Sequence, residues 1–154
     1  MNRTLLIMGV TTVFLAVVYS QGRTHCQIPC GIYDDPVRFA LMEEHVTTIE
    51  KSMQEIERLS SEDDPDWNQI VRWVNNKEHH SQELADIVTF YFMAQRVKPA
   101  DEKDNPAYSK YIGELTTLHE IMFHAMKAKQ TTDLDHCTML RGLIEEFRTS
   151  YMSD

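Results

Sequence analysis

Residues 35–59 read DPVRFALMEEHVTTIEKSMQEIERL, and this stretch decides the fold. Phe39, Met42, Val46, Ile49, Met53 and Ile56 recur at spacings of 3, 4, 3, 4 and 3. Alternating threes and fours lay one apolar stripe along a helix of about 3.6 residues per turn. The opening pair Asp35-Pro36 predicts where that helix begins. A carboxylate accepts from the free first-turn N–H groups, and proline has no N–H to leave unpaired there.

Asp64-Pro65 and Asn105-Pro106 predict two further helix starts by the same chemistry. The second helix is the longest, from about Asp66 to Lys98, ahead of Pro99. Trp67, Ile70 and Val74 begin its stripe, and Leu84, Val88 and Tyr91 finish it. Between them, Asn75 to Glu83 is wholly polar: either a solvated stretch or a notch where another element docks. The third helix shows Tyr108, Tyr111, Leu115, Leu118, Met122 and Ala125; a fourth, after the Thr131–Asp133 break, shows Cys137, Leu140, Ile144, Phe147 and Tyr151. Short connections make sequential helices antiparallel neighbours. The expected fold is all-α, an up-and-down four-helix bundle over residues 34–154.

Composition separates residues 1–24 from the rest of the 154-residue chain. This leader holds Arg3, Arg23, no acidic residue and the apolar run Leu5–Tyr19. That is the plan of a secretory signal peptide. Its apolar run is short of the roughly 20 residues a permanent span needs. Small residues place the cut after Gly22 or after Thr24, with no stable membrane association after cleavage. Residues 25–154 hold 13 Lys and Arg against 24 Asp and Glu, a formal charge of −11. Such a body excludes a basic nucleic-acid surface.

Between leader and bundle stands His25-Cys26-Gln27-Ile28-Pro29-Cys30-Gly31-Ile32-Tyr33. Thiolates and imidazole suit late first-row metals. The Cys26-x₃-Cys30 spacing, with Pro29 and Gly31, allows a loop that folds both sulfurs onto one ion; by itself it equally allows a small disulfide loop. Position adds weight. If processing frees His25, its α-amine, the amide nitrogen of Cys26 and two thiolates form a planar N₂S₂ set. That set points to Ni(II) or Cu(II), with the His25 imidazole within reach of an axial position.

His-Cys-x-x-Pro-Cys-x-x-Tyr directly after a cleaved leader, ahead of a four-helix bundle, resembles the nickel superoxide dismutase family. The resemblance extends from residue 25 to the C-terminus. It implies a nickel hook over residues 25–33 with one nickel ion per subunit. His25 would supply amine and imidazole, Cys26 amide nitrogen and thiolate, and Cys30 the second thiolate. Pro29 would shape the hook, Gly31 would permit a tight exit, and Tyr33 would stand over the open face, ordering small anions or water. The implied activity is disproportionation of superoxide to dioxygen and hydrogen peroxide by Ni(II)/Ni(III) cycling. The implied partners are a maturation protease for the leader and the other subunits of a homohexamer.

The chain departs from the family in the residues expected to hold the axial imidazole. The alignment gives Met42, beside Glu43 and Glu44, on the first helix and Glu78 on the second, so that network is expected to differ or to run through Lys77, Glu78 or His79. The apolar leader predicts an extracytoplasmic location, periplasmic or secreted. Leaders cut inside the cytoplasm, common in the family, are the alternative. The competing functional reading is a non-catalytic exported helical protein with a Cys26–Cys30 disulfide or a passive metal site. Elsewhere, His119 and His124 are five residues apart, about 140° around a helix, and are not expected to share a metal. Cys137, in an apolar stripe, reads as a buried thiol.

Overall fold

The computed structural model describes residues 31–153. Four helices account for most of them: α1 (Asp35–Ser60), α2 (Trp67–Asp86) running on into a π-helical segment (Ile87–Arg96), α3 (Asn105–Gln130) and α4 (Asp135–Tyr151). Among the described residues there is no strand, and no helix is long and apolar enough to cross a membrane. Each helix packs on the next, and α4 closes back on α1. Cross-helix pairs fix the directions. Asp35 at the start of α1 meets Tyr151 at the end of α4, and Lys77 in α2 meets Ala128 near the end of α3. The bundle is therefore up-and-down.

The α1 stripe is buried throughout, from Phe39 to Ile56. Phe39, Phe92 and Phe147 form one aromatic cluster, with ring centroids 4.9–5.6 Å apart. Burying one such side chain contributes roughly 1.5–3 kcal/mol. At the other end of the core Met53, Cys137 and Leu140 are fully enclosed, and the Cys137 thiol lies 3.7 Å from the Met53 sulfur.

Helix starts differ from expectation by one or two residues. Asp34, not Asp35, caps α1 by accepting from the Val37 N–H at 3.2 Å. Asp66, not Asp64, caps α2 by accepting from Gln69 at 3.1 Å, so Pro65 precedes the cap. At α3 the capping position is Asp104, and Asn105 and Pro106 already lie in the first turn. In α1 the shift has a consequence: Asp35 becomes a first-turn residue with its carboxylate free for other work.

Two stripes also need correction. Trp67 is 67% exposed, so the buried line of α2 begins at Ile70. In α3, Tyr108, Tyr111, Leu115 and Met122 are half-buried, while Leu118, Ile121, Ala125 and Ala128 are buried.

The polar stretch of α2 is solvated at Asn75, His79, Gln82 and Glu83 and buried only at Lys77 and Ser81. Lys77 is 3% exposed, and its ammonium donates to the carbonyls of Ala128, Lys129 and Thr131 at 2.6, 2.5 and 3.1 Å. The last carbonyls of a helix lack intrahelical donors, so a buried cation from α2 caps the end of α3. Asn76 donates to Ser52 at 3.0 Å across to α1. Lys77 thereby ties α2 to the end of α3, while His25 lies outside the described residues.

Candidate functional site at the Tyr33 end

Tyr33 is the one expected site residue inside the described part; His25, Cys26 and Cys30 lie outside the described residues. Gly31, just after Cys30, has φ +76°, a left-handed conformation that L side chains rarely adopt. The chain thus turns at residue 31 where only glycine fits without strain.

Tyr33 is 40% exposed, and two walls hold its ring. The Arg96 guanidinium carbon sits 4.6 Å from its centroid, and the Tyr91 ring meets it edge-on at 5.9 Å. Both walls are tied to one carboxylate. Arg96 donates to Asp35 through Nε at 2.9 Å and Nη2 at 2.5 Å, the Tyr91 hydroxyl donates to it at 2.6 Å, and the Tyr151 hydroxyl at 3.0 Å. Asp35 therefore gathers the start of α1, the π segment and the end of α4.

The π winding makes this convergence possible. Residues five apart lie about 140° apart around an α-helix. In a π-helix they are joined by an i→i+5 hydrogen bond and lie about one turn apart on one side. Tyr91 and Arg96 are five apart and reach the same carboxylate. The Val97 N–H closes the segment on the Phe92 carbonyl at 2.9 Å, five residues back.

Electrostatics follow from the contacts. Burial raises the Asp35 pKa, but hydrogen bonds from Arg96, Tyr91 and Tyr151 outweigh it and hold the carboxyl below its usual value. Burial, reinforced by the bond to Asp35, pushes both Tyr91 and Tyr151 up to about 12, so both phenols stay protonated donors. The bond to Asp35 also raises the Arg96 pKa. Beside the cluster opens a cavity of about 550 Å³, where Arg96, Lys98 and Lys110 face Asp35 and Glu114. Cations outnumber carboxylates there, against the negative balance of the whole chain.

Comparison with known protein families matches residues 20–154 to the nickel-containing superoxide dismutases. This chain belongs to that family. It is a nickel-dependent oxidoreductase that disproportionates superoxide, and the match covers the whole bundle together with the His25–Tyr33 stretch. No curated protein and no solved structure matches the chain. Family membership sets aside the non-catalytic reading.

Sequence reasoning missed Asp35, Tyr91, Arg96 and Tyr151 as a cluster. One signal was present: two acids, Asp34 and Asp35, precede Pro36 where a cap needs one. Among the described residues no group of three His, Cys, Asp or Glu side chains is placed to hold a metal ion. His119 is exposed, and His124 faces His136 on α4, with Nδ1 atoms 3.1 Å apart, so the two do not share a ligand position.

Proposed function

We propose that nickel in this superoxide dismutase is held by an N-terminal hook of His25, Cys26 and Cys30, made available when residues 1–24 are removed. The carrying observation is the family match, which begins at residue 20 and so takes in His25-Cys26-Gln27-Ile28-Pro29-Cys30. The donor set fits: two thiolates with amine and amide nitrogens suit a late first-row ion. The left-handed Gly31 supports a tight turn directly after the second thiolate.

When bound, nickel supplies the one-electron couple through which two superoxide anions and two protons become dioxygen and hydrogen peroxide. The chain's own part is to deprotonate and present the thiolates, to admit the anion and to deliver protons. Tyr33 orders the incoming anion or water, and its hydroxyl can carry a proton. The cationic excess around Arg96, Lys98 and Lys110 favours an anion at this end of a negatively charged body.

The assembly we infer is a homohexamer of such bundles, matured by a leader protease and working outside the cytoplasm. Exposed Trp67 and Val71, four apart on the outer face of α2, offer apolar surface for neighbouring copies. Cys26→Ser or Cys30→Ser is expected to abolish both nickel binding and superoxide dismutation. Cys137→Ser, in the core beside Met53, is expected to leave both intact. Nickel retention by both hook variants would overturn the assignment.

A further inference from the structure

We propose that Arg96 is a positioning residue for Tyr33, itself anchored by Asp35; the proposal rests on the role for Tyr33 given above. Tyr33 lies outside the helices and is 40% exposed, so its ring direction depends on what stands against it. One face meets the Arg96 guanidinium at 4.6 Å, and the Tyr91 ring lies edge-on at 5.9 Å. The guanidinium cannot swing away, because two of its nitrogens are bonded to the two oxygens of Asp35 at 2.9 and 2.5 Å. Tyr91 cannot rotate away either. Its hydroxyl is on the same carboxylate, its ring is 3% exposed, and Arg38 stacks over it at 4.9 Å. One carboxylate therefore sets both walls of the Tyr33 ring.

The chemistry requires arginine. A guanidinium is planar, so a bidentate bond along one edge fixes the plane that stacks on the ring. Lysine would keep the charge and lose both the plane and the fork. Charge and position are thus separable: if Arg96 served only as a local cation, Arg96→Lys would behave as the parent.

The experiment uses the mature, nickel-loaded protein labelled with 3-fluorotyrosine, its Tyr33 resonance assigned by its loss in Tyr33→Phe. Arg96→Gln and Arg96→Lys are both expected to move the Tyr33 fluorine resonance. Both should lower kcat/KM by roughly three- to tenfold, the size expected for one cation–π contact. In a Tyr33→Phe background the same substitutions should cost little further activity, since coupled residues are non-additive. A Tyr33 resonance unmoved in both variants, or an equal loss in the Tyr33→Phe background, overturns the proposal. Asp35→Asn should move the same resonance, and a silent Asp35→Asn overturns the anchoring. If Tyr33→Phe retains full activity, the catalytic reading of Tyr33 fails, while a moved resonance in Arg96→Lys still supports positioning by Arg96.

Discussion

The Nδ1 atoms of His45 on α1 and His80 on α2 meet head-on, 2.8 Å apart. The ring centroids are 5.1 Å apart, close to the largest separation such a contact permits, so each nitrogen points straight at the other. A shared metal would need both lone pairs aimed at a point off that line. The geometry is instead that of one N–H donating to one bare nitrogen, which a pair of doubly protonated rings cannot form. His124 and His136 repeat it between α3 and α4.

The His45–His80 pair predicts acid sensitivity. Burial first, and His80 second, lower the His45 pKa from 6.5; burial first, and His79 second, lower that of His80. Glu44 and Glu83 oppose the shift at both. The fold therefore prefers neutral rings. Their contribution is intact above the ordinary value and is lost as pH falls through it toward the folded value, because the unfolded chain takes up protons the native state refuses. Urea midpoints should fall on acidification from about pH 7 to about pH 5, a window set by the histidine reference value. His45→Gln with His80→Gln should flatten that fall, while costing about 0.5–1.5 kcal/mol at alkaline pH for the lost hydrogen bond. An unchanged slope in the double variant would contradict the assignment.

Lys77→Met should destabilise by about 1–3 kcal/mol in urea unfolding, since the carbonyls at the end of α3 lose their buried donor. A change indistinguishable from zero would mean that water takes over the capping without cost.

Asp35→Ala should cost about 1.5–3 kcal/mol near neutral pH, the scale of hydrogen bonds to a charged group. Because the folded Asp35 pKa lies below 3.8, its contribution is present above that value and is lost as pH falls below it. Stability curves of parent and variant should therefore converge in strong acid; curves that stay parallel there would assign the loss to packing.

Cys137 is fully buried, and its thiol is pushed up to about 11 by burial first and Glu50 second. Iodoacetamide at neutral pH should leave Cys137 unmodified in the folded protein and label it once urea unfolds the chain. Rapid native labelling would show that the core opens at Met53.

The fold was legible because the α1 and α4 stripes follow the 3.6-residue period with little interruption, and burial of Phe39, Met42, Ile144 and Phe147 follows from that period alone. Cap positions were less legible because Asp34, Asp64 and Asp66 are chemically equal candidates, and only the path of the chain selects among them. The π segment could not be read. Its winding satisfies tertiary contacts of Tyr91 and Arg96 with Asp35, more than 50 residues away, and local propensity carries no trace of it. For the same reason the Tyr33 walls were invisible, since α-helical spacing puts Tyr91 and Arg96 on different faces. The proposed hook differs in kind: the residues that would form it, His25 to Tyr33, are contiguous, so the proposal rests on sequence and family membership and not on tertiary contacts.

The central claim is that a freed His25 amine completes a nickel site with Cys26 and Cys30. The most direct test takes mature protein from its native host and determines both its N-terminal residue and its metal content on one sample. The account predicts a start at His25 and one nickel per chain. A start at Arg23 or earlier, with a Cys26–Cys30 disulfide and no nickel, would contradict it.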